Sequence, residues 1–245
     1  MKKNIPALVF CILVFYSCKK DKTLIAKQEN DTAVGKTVKR DSANGQNAGK
    51  PTESFKTGKK LSDLVPEGYE IQYDAEGDLN QDGLDDAALV VRKKEDTLDG
   101  RKILILLRNP DQTYRLDKVS ETALPDEYNE AGYKMYNPED IAINKGELSI
   151  NLYDIGPNGN QFSKFKYLNG DLILSYIETY NMGAGSHSAL YYEPMKGKLT
   201  HETINTMEEE MPSQSKTISL KKERYLFEKT SPDDAIHKAY DAIHD

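Results

Sequence analysis

Residues 77–91 read GDLNQDGLDDAALVV, six oxygen-bearing side chains and a glycine placed directly before an aliphatic run. Counted from Asp78, carboxylate or amide oxygens fall at positions one, three, five and nine, on Asp78, Asn80, Asp82 and Asp86, with Gly83 at position six and the Leu84 carbonyl at seven. Hard cations take six to eight oxygens at roughly 2.3–2.6 Å, and a glycine at the sixth position permits the turn that gathers them. Carboxylates this close repel one another unless a cation lies among them. Calcium is the expected occupant. Ala87 to Arg92 after the loop is aliphatic and β-branched, and Tyr69 to Tyr73 before it alternates, so the loop joins two strands and the fold is read from it as β.

The rest of the chain agrees. Strands are expected at Lys102 to Leu107, Tyr114 to Val119, Ile141 to Ile143, Leu148 to Tyr153, Phe162 to Tyr167, Leu172 to Tyr180, Ala189 to Tyr192, Leu199 to Ile204 and Tyr225 to Phe227. Asp99-Gly100 supplies a hairpin turn between the second and third of the strands. Lys145-Gly146, Asn169-Gly170 and Lys196-Gly197 each end one run and restart another at a leucine, which calls for positive φ at the glycine. A helix start is legible at Ser231-Pro232-Asp233-Asp234, with Ser as N-cap, Pro in the first position and acids in the first turn. Ala235, Ile236, Ala239, Tyr240 and Ile243 give that helix one apolar face. The fold class is mainly β: an antiparallel meander or sandwich with a calcium-loop hairpin and a short C-terminal helix.

Lys2 and Lys3, an apolar stretch from Ile5 to Tyr16, then Ser17-Cys18 and a polar run have the layout of a secretory signal. As a helix the apolar stretch spans about 18 Å, short of the roughly 30 Å a membrane span needs. Phe15-Tyr16-Ser17-Cys18 resembles the lipobox of bacterial lipoproteins, with Phe15 where leucine is commonest; the resemblance implies a lipid on Cys18. The division expected is residues 1–18 as signal, 19–60 as a disordered polar tether and 61–245 as one antiparallel β domain. The tether carries 11 Lys and Arg against 5 Asp and Glu, the domain 20 against 35. An acidic domain on a basic tether suits an anionic membrane surface and disfavours nucleic acid. Cys11 and Cys18 are the only cysteines, so the domain has no thiol chemistry or disulfide.

The loop begins like an EF-hand, yet its twelfth position is Leu89 and strands flank it. It resembles the calcium-binding hairpin loops of FG-GAP and VCBS-type repeats, D-x-N-x-D-G-x-x-D. That resemblance implies Asp78, Asn80, Asp82 and Asp86 as side-chain ligands and Leu84 as the backbone ligand. Those repeats occur several times and build a propeller, whereas this chain has one copy. Residues 68 to 180 resemble a group of small secreted bacterial proteins with a single such loop and no assigned activity.

No catalytic centre is legible. Ser186 and His187 are adjacent on a strand and so face opposite ways. His187, His201, His237 and His244 lack zinc-site spacing, and Glu208-Glu209-Glu210 reads as a solvated bend. The polar stretch from Ser120 to Asp140, with Tyr128, Tyr133 and Tyr136, is long for a structured loop and is where a binding surface is expected. The reading is a non-enzymatic envelope lipoprotein, displayed in the periplasm or at the cell surface, with a structural calcium site and a protein or glycan partner. The alternatives are an envelope hydrolase and a purely structural lipoprotein.

Overall fold

The computed structural model describes residues 57–96, 98, 100–154, 156 and 158–242. The chain divides into Met1–Lys50 and Pro51–Asp245, and all described residues belong to the second unit. Cys18, the signal and most of the tether lie outside the described residues, as do Asp99, Ile243 and His244.

Two antiparallel sheets form. The five-stranded sheet contains β1 (Thr57–Gly58), β2 (Tyr69–Gly77), β3 (Asp86–Lys93), β4 (Lys102–Arg108) and β5 (Tyr114–Ser120), in the order β1-β5-β4-β3-β2. The seven-stranded sheet is a meander of β6 (Glu139–Asn144), β7 (Glu147–Leu152), β8 (Asn160–Leu168), β9 (Asp171–Met182), β10 (Ser186–Glu193), β11 (Lys198–Asn205) and β12 (Ser213–Ser219), each beside the next. Helix α1 (Pro232–Asp241) follows, its N-cap Ser231 accepting from the Asp234 N–H.

The hydrophobic pattern explains how the sheets pack. Ala88, Val90, Ile103, Ile105 and Leu107 of the five-stranded sheet share one core with Leu148, Ile150, Phe165, Leu174 and Tyr192 of the other, so the two sheets form a sandwich. Ala87, Leu89, Val91, Leu104 and Leu106 point the opposite way, into a second core closed by Leu64 of a short 3₁₀ turn, Leu61–Leu64. Burial on both faces is why β3 and β4 read as unbroken apolar runs. The seven-stranded sheet is covered on one face only, hence the alternation in β7, where Leu148, Ile150 and Leu152 are buried and Glu147, Ser149 and Asn151 are not. Phe227 and the expected face of α1, Ala235, Ile236 and Ala239, fill the same core.

The turns follow their chemistry. Lys145-Gly146 and Asn169-Gly170 have positive φ at both residues, 52° and 76° and then 54° and 84°, the two-residue hairpin geometry. Gly197, at φ 64°, instead ends a 3₁₀ turn, Pro194–Lys196.

Three expectations need correcting. Regular structure starts at Thr57, before the expected boundary at residue 61, because Thr57 and Gly58 pair with Arg115 and Tyr114. Tyr225 to Phe227 is a single bridge, Leu226 opposite Ile173, that occupies the edge of β9 beyond the end of β10. Ser213–Ser219 is a strand where none was expected.

The stretch from Glu121 to Pro138 is held by buried ion pairs. Arg101, 2 % exposed, contacts Glu139 at 2.6 and 3.3 Å and donates to the Pro125 carbonyl at 2.8 Å. Glu127, also buried, meets Arg92 at 3.1 Å and Lys134 at 3.3 Å. Removing one member of a buried pair strands the other charge and costs about 3–5 kcal/mol, whereas replacing both by apolar residues is often neutral. Arg101→Met should therefore lower the unfolding free energy measured in urea by that much, and Arg101→Met combined with Glu139→Leu should recover most of the loss; equal destabilisation in both would contradict the ion-pair account.

Candidate functional site

Two places in the domain gather polar side chains. The first is the loop between β2 and β3. Asp78 accepts from the Asp82 and Gly83 N–H groups, both at 3.0 Å, Asn80 from Asp82 N–H at 2.9 Å, and Asp82 from Leu84 N–H at 2.9 Å. Each side chain is thus folded back on the backbone of its own turn. Positive φ at Gln81, 63°, and Gly83, 88°, closes the curve. Leu79, 1 % exposed, is the loop's anchor in the shared core. The Gln81 side chain lies over Gly146 of the β6–β7 turn, and a Cβ on Gly77 would come within 2.9 Å of the Ile143 carbonyl oxygen, so the loop end is seated against the second sheet.

Asp86 is different from the other donors. Its carboxylate is fully buried; Oδ2 accepts from the Leu79 and Asn80 N–H groups at 3.1 Å and Oδ1 from Arg108 N–H at 3.0 Å. With about four acceptor positions on a carboxylate, three are engaged by backbone. Burial pushes its pKa up, against those three hydrogen bonds, and the nearby Asp82 charge pushes the same way. Half-buried Asp78 and Asn80, exposed Asp82 and the Leu84 carbonyl all offer oxygens in one short turn, chemistry that suits a hard cation. Among the described residues, no group of three or more His, Cys, Asp or Glu side chains is gathered as a metal cluster.

The second place is a cleft of about 540 Å³ between the inner face of β8–β10, the end of the 121–138 segment and α1. Gln161, Thr179 and Ser188 line its floor, Met135 and Tyr136 one side, and Ile236 and Tyr240 the other. Tyr136, from the tyrosine-rich segment singled out in the sequence, meets Ser188 here, two residues beyond Ser186 in β10. Tyr128 and Tyr133 do not join them; Tyr133 is 71 % exposed. Burial raises the Tyr136 pKa, and the Asp233, Asp154 and Glu139 carboxylates raise it further.

The histidines separate as follows. His187 Nδ1 is 2.5 Å from the Tyr180 hydroxyl, and Ser186 is exposed, so these neighbours do not pair. His201 Nε2 is 3.0 Å from Ser188 Oγ, and the His201 ring meets Tyr240 edge-on. His237 lies 3.3 Å from Asp233 on the exposed side of α1. Glu208, Glu209 and Glu210 lie in the exposed β11–β12 connection. Sequence reasoning missed Gln161 and the Ser188–His201 contact, whose partners are 13 residues apart. The register of β10 and β11 brings them together, Ser188 opposite Thr203 and Leu190 opposite His201. No protein-family model, curated protein or solved structure matches this chain.

Asp86→Asn would replace an acceptor oxygen by a donor and leave at least one of the three buried N–H groups unbonded, at about 1–3 kcal/mol for each. The expected result is a lower melting temperature with faster amide exchange at Leu79 and Asn80; unchanged exchange there would contradict the role given to this carboxylate. Burial raises the Glu127 carboxyl, but Lys134 and Arg92 outweigh it and hold it below its ordinary value of 4.5. A depressed carboxyl stabilises the fold above its ordinary pKa, and the contribution is lost as pH falls through the lowered one. Below pH 4.5, Glu127→Gln should lose stability with a shallower slope than the parent protein in denaturant melts run across that range.

Proposed function

We propose that this chain is an extracytoplasmic, lipid-anchored binding module whose β2–β3 loop holds calcium in a structural role. The observation that carries the binding reading is the cleft itself: two separate polar segments and α1 converge over strand positions that a sandwich core would fill with apolar side chains. Calcium would be held by Asp78, Asn80, Asp82 and the Leu84 carbonyl, with Asp86 offering the one carboxylate position its backbone partners leave. Its chemistry there is charge neutralisation and stiffening of the hairpin. Because Leu79 and Gln81 seat the loop against both sheets, stiffening it stabilises the whole sandwich. The lipid would be carried by Cys18, which the basic segment beside it would help to hold at an anionic surface.

Calorimetric titration of the full chain with calcium should give a dissociation constant of about 10⁻³ M or tighter, the range of extracellular calcium modules. Calcium should raise the melting temperature by mass action, and Asp82→Ala should lose both effects. No heat and identical melts would leave the loop as an acidic turn. Cys18→Ser should move the protein from the membrane fraction to the soluble fraction; retention in the membrane would sink the lipid anchor.

One observation favours the hydrolase as a second reading: Ser188 Oγ and His201 Nε2 are within hydrogen-bond distance, 3.0 Å, at the cleft floor. Among the described residues no carboxylate bonds His201 to orient it, as a serine–histidine centre needs. Hydrolysis of p-nitrophenyl acetate that disappears in Ser188→Ala would favour this reading; no turnover in either protein would favour the binding module.

A further inference from the structure

The rows of residues across the seven-stranded sheet change character toward one end. Ile150, Ser163, Ile177, Tyr192 and Leu199 lie side by side in register, and all five are part of the sheet's buried or core-packed face. Two residues further along the strands, the same face carries Leu152, Gln161, Thr179, Leu190 and His201, and after that Asn181, Ser188 and Thr203. Alternation puts these polar side chains on the inward face. They are roofed by α1 and by Tyr136, and the space between is the 540 Å³ cleft, within the size of small-molecule sites.

Gln161 decides what the cleft is for. It is 6 % exposed, it lines the cleft, and its Nε2 is buried without a hydrogen-bond partner. Buried side-chain donors are nearly always bonded, and leaving one unbonded is unfavourable. A glutamine here in place of a leucine brings a donor with no protein acceptor to the cleft wall, a donor that an oxygen of a bound molecule could satisfy.

The charge of the walls narrows the class of that molecule. No Lys or Arg lines the cleft; Asp233 and, 3.3 Å from it, His237 do, and the Tyr136 hydroxyl feels Asp233, Asp154 and Glu139. With no Lys or Arg to pair with it and these carboxylates nearby, an anion is disfavoured. Beside these the cleft presents amides and hydroxyls, among them those of Asn158, Gln161, Thr179, Asn181 and Ser188, which both donate and accept. Tyr136 and Tyr240 add aromatic surface. Ser188 is fixed by His201 at 3.0 Å, and the Tyr240 ring braces that histidine from the helix side.

We propose that the cleft under α1 binds a neutral saccharide unit, with Gln161 Nε2 donating to one of its oxygens. This deepens the binding-module reading and rests on it.

The test is side-chain amide NMR on the full chain, labelled with ¹⁵N at glutamine, titrated with glucose, N-acetylglucosamine, glucuronate, and acetylated, amidated trialanine. Expected is a saturable shift of the Gln161 side-chain amide pair with a neutral sugar, and binding of glucuronate at least about tenfold weaker. Gln161→Leu should weaken the sugar by about tenfold or more while the melting temperature of the free protein stays level or rises, because the unbonded donor is gone. A merely structural glutamine would instead lower the melting temperature when replaced. Shifts with the peptide alone would overturn the saccharide assignment and keep the binding module. No shift with any of the four probes, together with a destabilised Gln161→Leu, would overturn the site itself.

Discussion

The ion pair between Arg101 and Glu139 is the constraint on which the cleft end of the domain depends. Arg101 stands just before β4 in one sheet and Glu139 opens β6 in the other, and both side chains are removed from water. The same guanidinium reaches Gln72 in β2 and the Pro125 carbonyl. One cation therefore ties both sheets to the segment that walls the cleft. Such a pair is poor value as stabilisation, since an apolar pair of similar size would often do as well. Its use here is geometric: the 121–138 segment has one internal bridge and joins the sheet only at Asn137 and Pro138, so the charges that grip it, with Ala123, Leu124 and Tyr136 in the core, fix its course.

Two-sided burial has a second consequence. The five-stranded sheet is enclosed between the sandwich core and the short 3₁₀ turn Leu61–Leu64, so β3 and β4 have no wet face. The loop that opens β3 inherits this rigidity. Asp86, the first residue of β3, can remain a buried carboxylate only because three backbone N–H groups converge on it, two from the loop and one from β4. Loop shape and sheet register are thus fixed by one side chain. An ion in the loop would act on a frame already set by Asp86 and Leu79.

How much of this could be read from the sequence depends on where each signal comes from. The strands from Tyr69 to Ile204 and the helix at Pro232 were legible because local period and cap chemistry coincide with the tertiary structure. The edge strand Ser213–Ser219 was not, because an edge exposed on almost every residue has a polar sequence, and Lys216 there suits an edge that must resist pairing with other chains. Tyr225 to Phe227 has the apolar character of a strand because it covers the exposed edge of β9, although only one bridge forms. In the candidate sites the loop donors are contiguous and could be named at once. The cleft could not be assembled, since Gln161, Thr179 and Ser188 look like an outward face until pairing places them inward beneath α1. Ser188 and His201 are brought together by register alone, which no single segment encodes.

The two sites occupy opposite ends of β7. Glu147, at its start, adjoins the turn whose Gly146 lies under the loop residue Gln81, while Leu152, at its end, pairs with Gln161 on the cleft floor. Five residue steps of a strand separate those ends by roughly 17 Å at about 3.3 Å each. No ligand group in the cleft can therefore reach an ion in the loop. Any coupling between them has to pass through the packed core they share, Leu79 at one end and Tyr136 at the other. Calcium that raises the stability of the sandwich would then alter ligand affinity only as far as the cleft opens by partial unfolding. A change in ligand affinity much larger than that would require two arrangements of the β6–β7 hairpin, which meets the loop at Gly146 and pairs with the cleft-lining strand β8 at Leu152.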